Sequence, residues 1–178
     1  RALRLVGGLR GISAIHVERL LKICRSRTAS GRRLPLPGGR EALFRFDEVL
    51  LRPSAPRAPS FVRPLEVPGE VEVPGGLRVR AMEVENPLPA PSADAAAIIQ
   101  ADPATVLTVR SRQAGDFVRF GGRAISLKRF LLEKRVPADL RDALPLVANG
   151  AEVLWVPGWP VDPPEAGRFV RVELVRVT

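Results

Sequence analysis

Proline and glycine interrupt this chain so often that long helices and long central strands have little room. Eighteen prolines and fifteen glycines fall among 178 residues. Proline removes a backbone donor and fixes φ, and glycine opens the left-handed region, so the sequence predicts many turns, short strands and few long helices. Two Pro-Gly-Gly triplets, at 37–39 and 74–76, join runs with alternating apolar residues. They read as one turn chemistry used twice rather than as a repeated domain. Apolar residues make up 46% of the chain, enough for a true core.

Residues 12–25, "ISAIHVERLLKICR", space Ile12, Ile15, Leu20, Ile23 and Cys24, with Val17 and Leu21, mostly as a helix does. Ser13 suits the N-cap. His16, Arg19, Lys22 and Arg25 follow in steps of three along one flank. The next stretch, "RRLPLPGGREALFRFDEVLL", predicts short strands around the Pro-Gly-Gly turn, with Leu43 and Val49 bracketing a second tight connection near Asp47. The segment 53–60, "PSAPRAPS", cannot join a helix or a central strand and predicts a semi-rigid linker. The expected organisation is therefore 1–52, a linker at 53–60, and 61–178.

Within 61–178, residues 61–86 predict a meander of short strands, with Leu77, Val79 and Ala81 on one face. Residues 87–103 are rich in proline and alanine and predict no definite element. "ATVLTVRSR" at 104–112 is β-branched and predicts a strand with Leu107 and Val109 on one face. Arg110 and Arg112 share the other face with Val106 and Thr108. Residues 126–135 predict a helix whose stripe of Leu127, Phe130, Leu131 and Lys134 packs on the sheet. Lys128 and Arg135 fall on a second face with Leu132 between them. Pro137 ends that helix and suits the first turn of a new one. Asn149-Gly150 between 146–147 and 152–156 is a hairpin signal. "RFVRVELVRV" at 168–177 closes the chain as an alternating strand, with Val170, Val172 and Leu174 facing one way and Arg171 and Glu173 the other. The fold class is α+β. A small helix-plus-hairpin region precedes a compact α+β domain of mostly antiparallel short strands with one or two packed helices.

The formal net charge is +9, and all but three of the 28 basic residues are arginine. Excess positive charge favours polyanions, with nucleic acid the commonest. The excess is uneven. Residues 1–52 hold twelve basic and four acidic residues, and the remainder hold sixteen and fifteen. An anion site in the second part must be a local patch. Arg110, Arg112, Arg119, Arg123, Lys128, Arg129, Arg135 and Arg141 are the RNA-binding candidates there, and Arg19, Lys22, Arg32 and Arg33 are secondary ones. The competing reading is a solvated basic face, in which Arg129 and Glu133 form a weak pair four residues apart. There is no tyrosine, and Phe117, Phe120 and Phe130 suit core roles. A basic patch without aromatic platforms favours structured RNA read by backbone and shape.

Several chemistries find no support. His16 is the single histidine and Cys24 the single cysteine, so neither a four-ligand zinc site nor an intrachain disulfide can be built from them alone. The cysteine usage fits a reducing, cytoplasmic setting. No apolar run approaches the roughly 18 residues of a membrane span. No Ser/His/Asp set and no phosphate-binding glycine motif is present. Asp116, after Gly115, reads as an Asx turn. No catalytic residue, metal site or cofactor is assigned to this chain.

The order of segments carries a resemblance. "VRSRQAGDFVRFGG", "LKRFLLEKRVPADLRDALPLV" and "EVLWVPG" resemble the C-terminal domain of the tRNA(Ile)-lysidine synthetase family. That family's pattern runs R-x-R-x-x-G-D, a glycine turn, L-K-x-F-L, K-[IV]-P, R-D, P-L and W-V-P-G. Arg110, Arg112, Gly115 and Asp116 match its opening. Leu127, Lys128, Phe130, Lys134, Val136 and Pro137 match its helix, with Arg135 for lysine. Arg141, Asp142, Pro145 and Leu146 match the next step, and Trp155 to Gly158 the last. "GGLRGISAIHVERLLKIC" with "GRRLPLPGG" resembles the end of the family's central domain. Ile125 and Ser126 stand where the family prefers lysines, and Val118 precedes Arg119 where arginine often follows G-D directly at the second place.

The resemblance implies a tRNA-processing ligase that uses ATP and Mg²⁺ to join lysine to the wobble cytidine of a minor isoleucine tRNA, forming lysidine. The chemistry would belong to a PP-loop domain with S-G-G-x-D-S, a motif this chain lacks. The chain, which begins at Arg1 without Met, reads as a fragment that docks and selects tRNA and is inactive alone. Two other readings stay open: a generic RNA-binding module of another modification protein, and a protein-interaction module. In the latter, a homodimer would form through the Val106/Thr108 face or the final strand.

Overall fold

A computed structural model describes residues 11–26, 30–54, 56, 59–85, 95–101, 104, 106–162 and 167–177. It divides into two units, Arg1–Arg57 with Pro137–Leu140, and Ala58–Val136 with Arg141–Thr178. The four residues 137–140 thus join the first unit, an assignment the linear reading of the sequence does not contain.

In the first unit, helix α1 (Ala14–Cys24) begins at Ser13, whose backbone N–H donates to His16 Nδ1 at 3.1 Å. The lone histidine is a helix-capping residue. Strands β1 (Arg33–Leu36), β2 (Arg40–Arg45) and β3 (Glu48–Pro53) form an antiparallel sheet in that order. Gly38 and Gly39 close β1 onto β2 with φ of +77° and +64°, which explains why this turn needs two glycines. Leu36, Ala42 and Phe44 form the core, and Ile12, Leu20 and Ile23 bring one face of the helix onto it.

Buried charges reinforce this unit. Glu41 accepts from Arg52 Nε at 2.8 Å, and Asp139 accepts from Arg45 at 2.6 and 3.1 Å and from Arg52 at 3.3 Å. Burial pushes the Asp139 carboxyl up. The Arg45 hydrogen bond, a backbone hydrogen bond and the charges of Arg45 and Arg52 outweigh it and hold the group below the ordinary aspartate value. A depressed folded pKa contributes stability above the unfolded pKa and loses it as pH falls through the folded one. Acidification below about pH 4 should therefore weaken this unit, and Asp139→Asn should flatten that dependence. Thermal melts of both proteins from pH 7 to pH 3 check this; equal acid sensitivity would contradict it.

The second unit is three layers. The first is an antiparallel sheet of β5 (Gly69–Val73), β6 (Leu77–Val84), β13 (Arg168–Arg176) and β7 (Ala96–Ala101), in that order. The second is a six-stranded sheet ordered β10-β9-β12-β11-β8-β4. Its strands are β4 (Val62–Leu65), β8 (Leu107–Arg110), β9 (Phe117–Phe120), β10 (Arg123–Ser126), β11 (Leu146–Asn149) and β12 (Glu152–Trp155). All its pairs are antiparallel except β12 with β9. The third layer is helix α2 (Leu127–Glu133). The single turn α3 (Ala138–Arg141) follows it in the chain, and all but its last residue belongs to the first unit.

Two cores separate these layers. Val79, Ala81, Val170 and Val172 meet Leu107, Val109, Val147 and Trp155 between the sheets. Leu127, Phe130 and Leu131 meet Val118, Leu146, Ala148 and Val153 on the far side of the larger sheet. Both faces of β11 and β12 are covered, which is why "LVA" and "VLWV" are unbroken apolar runs rather than alternating ones.

The α+β class and the predominance of antiparallel short strands are as the sequence predicts. Four details differ. Residues 61–86 are not a meander, because β4 pairs with β8 in the larger sheet while β5 and β6 belong to the smaller. A strand, β7, lies within 87–103. Helix α2 stops at Glu133, and Arg135 lies beyond it with φ of +53°, so Lys128 and Arg135 share no helical face. The final strand β13 is interior, paired with both β6 and β7, and β8 is likewise flanked by β11 and β4. Neither strand has a free edge for a partner strand.

Candidate nucleic-acid interface

Loop 111–116 connects β8 to β9 and forms one wall of an open cavity of about 730 Å³. The start of α2 and the Phe117, Ala124 and Ser126 side of the β9–β10 hairpin form the rest. Arg112, Gln113, Lys128 and Asp142 supply its polar side chains together with Ser126 and Asp116. Of the eight candidates in the second unit, Arg112 and Lys128 are brought together on this cavity.

Arg112 is exposed, and its Nε donates to Asp142 at 2.7 Å. Arg141 lies near enough to interact with both. Burial lowers its pKa from the ordinary arginine value, the Arg112 charge lowers it further, and Asp142 opposes them. Its Nε donates to the Val136 carbonyl at 2.8 Å, while Nη2 is buried without a partner among the described residues. Lys128 is exposed and has no hydrogen bond or ion pair among the described residues. This corner is thus two cations on an open surface, with a third half-buried close by.

The remaining candidates are placed otherwise. Arg110 is only 3% exposed, and its guanidinium grips Asp116 with two bonds of 2.8 Å. The expected outward pair of Arg110 and Arg112 does not form, because β8 ends at Arg110 and the chain turns away. Arg119 is paired with Glu152 at 2.8 Å, and Arg129 with Glu133 at 2.7 Å, as the four-residue spacing suggests. Arg123 is exposed on the opposite side of the hairpin from Arg119, beside Gly122. Arg135 is exposed after the helix. Arg19, Lys22, Arg32 and Arg33 all belong to the first unit, Arg33 lying 3.7 Å from Glu41.

Elsewhere the arginines of the second unit cancel against acids. Arg78 meets Glu70 and Glu72 at 2.7 and 3.0 Å, and Arg80 meets Glu70 and Glu173 at 3.3 and 3.2 Å. These cross-strand pairs on the smaller sheet explain how so arginine-rich a segment carries almost no net charge. Asp116 and Asp142 are the site members that charge-counting missed. Asp116 makes a different local bond from the expected Asx turn: its Oδ2 accepts from Gln113 N, three residues earlier, at 2.7 Å. The fold brings Asp142 to Arg112 across thirty residues, and no local spacing reports that.

Residues 107–168 match the family model described as the TilS substrate C-terminal domain. The chain contains a segment similar to the TilS C-terminal domain. The matched segment contains every residue that lines the cavity. Among curated proteins, the tRNA(Ile)-lysidine synthase of Symbiobacterium thermophilum is 32% identical over 166 residues, covering 87% of this chain and 34% of that protein. The enzyme of the same name from Caldanaerobacter subterraneus subsp. tengcongensis is 29% identical over 155 residues, covering 84% and 33%. The chain thus spans about a third of the length of these relatives. A solved structure described as the crystal structure of TILS C-terminal domain superposes with a TM-score of 0.54 at 23% identity, covering 67% of this chain and 99% of that one. That likeness shows the fold.

Ile125 and Ser126, where the resemblance leads one to expect lysines, have structural roles. Ile125 packs on the core beneath α2, and Ser126 Oγ accepts from Arg129 N at 3.3 Å as the N-cap of that helix. These two positions serve the seating of α2, which leaves Lys128 as the cation at its start.

Proposed function

We propose that this chain is the non-catalytic, tRNA-docking part of a tRNA(Ile)-lysidine synthase acting in the cytoplasm. In this reading Arg112 and Lys128 hold phosphates of the RNA at the cavity, and Arg123, Arg135 and Arg141 extend the cationic surface. The supporting observation is that an unpaired Lys128 and an exposed Arg112, the latter also bonded to Asp142, border one open cavity within the TilS-matched segment, whereas the arginines of the smaller sheet are paired away from it. Phosphate contacts fix register and orientation, so the domain would act as a ruler that presents a minor isoleucine tRNA to a catalytic domain elsewhere. The first unit, as the end of a central domain, would add Arg19, Lys22 and Arg32.

Adenylation with ATP and Mg²⁺ would be the task of that catalytic domain. Among the described residues no group of three or more His, Cys, Asp or Glu is placed to hold a metal ion, and the sequence has no S-G-G-x-D-S. No reaction step is assigned to the residues of this chain. Among the described residues no helix is long and apolar enough to cross a membrane.

The test is binding of an isoleucine tRNA transcript, followed by fluorescence anisotropy across salt. Each phosphate contact contributes about one to the slope of log affinity against log salt, so Arg112→Ala and Lys128→Ala should each lower it by about one. Binding without salt dependence would sink the RNA reading. Equal affinity for an unrelated tRNA would favour a generic RNA-binding module instead. A doubled mass in solution without RNA would favour self-association, which could not pair strands through β8 or β13, since both are flanked on each side.

A further inference from the structure

The pair Arg110–Asp116 does more than neutralise itself. Asp116 is 4% exposed, and both of its carboxylate oxygens bond Arg110. One of them also accepts from Gln113 N at 2.7 Å, which folds loop 111–116 back on itself. The Asp116 carbonyl accepts from Leu127 N at 2.8 Å, fixing the first residue of α2, next to Lys128. Arg110 Nη2 continues to the Gly150 carbonyl at 2.7 Å, and Nη1 to the Ser111 carbonyl at 3.2 Å. Phe117 N donates to the Ala151 carbonyl at 3.1 Å. One buried ion pair therefore ties together the loop bearing Arg112, the start of the helix bearing Lys128, and the β11–β12 turn.

We propose that Arg110 and Asp116 are positioning residues that set the spacing of Arg112 and Lys128 for adjacent phosphates of an RNA strand. The proposal rests on the RNA-docking reading above. In the motif Arg110-x-Arg112-x-x-Gly115-Asp116, the outer residues are the frame and the middle arginine is the contact. A bidentate pair holds direction as well as distance, which a hydrophobic contact of the same volume does not. Gly115, with φ of +89°, lets the loop turn back so that Asp116 reaches Arg110.

The test separates positioning from stability. Replacing a buried ion pair by apolar residues of similar volume strands no charge, so Arg110→Met with Asp116→Leu should stay folded and lose less stability than Arg110→Ala, while removing the directed bonds. In the full chain, with the isoleucine tRNA transcript as probe, Arg112→Ala should weaken binding roughly tenfold. The Met/Leu pair should weaken it comparably, and adding Arg112→Ala to it should cost little more, the signature of coupled residues. Normal affinity and salt slope in a folded Met/Leu protein, with Arg112→Ala still impaired, overturns the positioning role and leaves the RNA reading intact. Normal binding by Arg112→Ala instead overturns the RNA reading at this cavity and the positioning role with it. If the Met/Leu protein does not fold, Asp116→Asn, which keeps shape but not charge, is read by the same two comparisons.

Discussion

Arg110→Ala should lower the stability of the second unit by about 3–5 kcal/mol, the range for breaking a buried ion pair from one side. The magnitude follows from what is left behind. Asp116 keeps its bond from Gln113 N but loses both arginine bonds, in a place where water has little access. The Gly150 carbonyl loses its Arg110 donor as well. An uncompensated buried carboxylate costs far more than the methylenes removed with the arginine. Chemical denaturation of the two proteins measures the difference. The Met/Leu double replacement supplies the control, because it leaves no charge stranded. A loss below about 1 kcal/mol for Arg110→Ala would mean that solvent reaches the pair, contrary to its burial.

Phe130→Ala should cost a similar amount, about 3–5 kcal/mol, by a different mechanism. Phe130 is fully buried between α2 and the larger sheet, with its ring 5.5 Å from that of Phe120 in an edge-on arrangement. The Lys134 amine sits 4.3 Å from the Phe120 centroid, closing the cluster from the solvent side. Truncation opens a cavity beneath a helix of only seven residues, which has little internal stability to hold its place. The same variant should weaken RNA binding, because Lys128 rides on that helix. Denaturation gives the first effect, and the salt slope of tRNA binding the second. A destabilised protein with an unchanged slope would show that Lys128 does not contact phosphate.

The sequence was most informative where one residue dictates one geometry. Pro-Gly-Gly at 37–39 and Asn149-Gly150 mark turns because left-handed backbone is needed there, and both turns form. The stripe Leu127, Phe130 and Leu131 is buried as its spacing demands. Pairing between distant segments was not legible. Nothing in "VRPL" says that β4 joins β8, and nothing in "AAIIQA" says that β7 lies against β13. For the site, composition and spacing single out Arg112 and Lys128 as cations, and only the fold makes them neighbours. Period-two alternation points Arg110 outward because it assumes one solvated face, whereas Arg110 is buried. Here the turn after β8 carries Asp116 over that face, so an apparently exposed arginine is enclosed. Charge was misleading in the same way: Arg119, Arg129 and Arg112 all have carboxylate partners, and two of the three are reached only through the fold.

The interior place of β13 has a consequence for synthesis. Residues 168–176 lie between β6 and β7 and hydrogen-bond to both, so the smaller sheet cannot close until they have left the ribosome. Until then β6 and β7 are held apart with unpaired edges, and Val79, Ala81 and Ile99 lack Val170 and Val172 as neighbours. Pairing across some ninety residues is slow to find, and edges waiting in that state are open to association with other chains. A nascent chain halted before residue 168 should therefore be the aggregation-prone species, and chaperone demand during translation should fall once the last strand has entered.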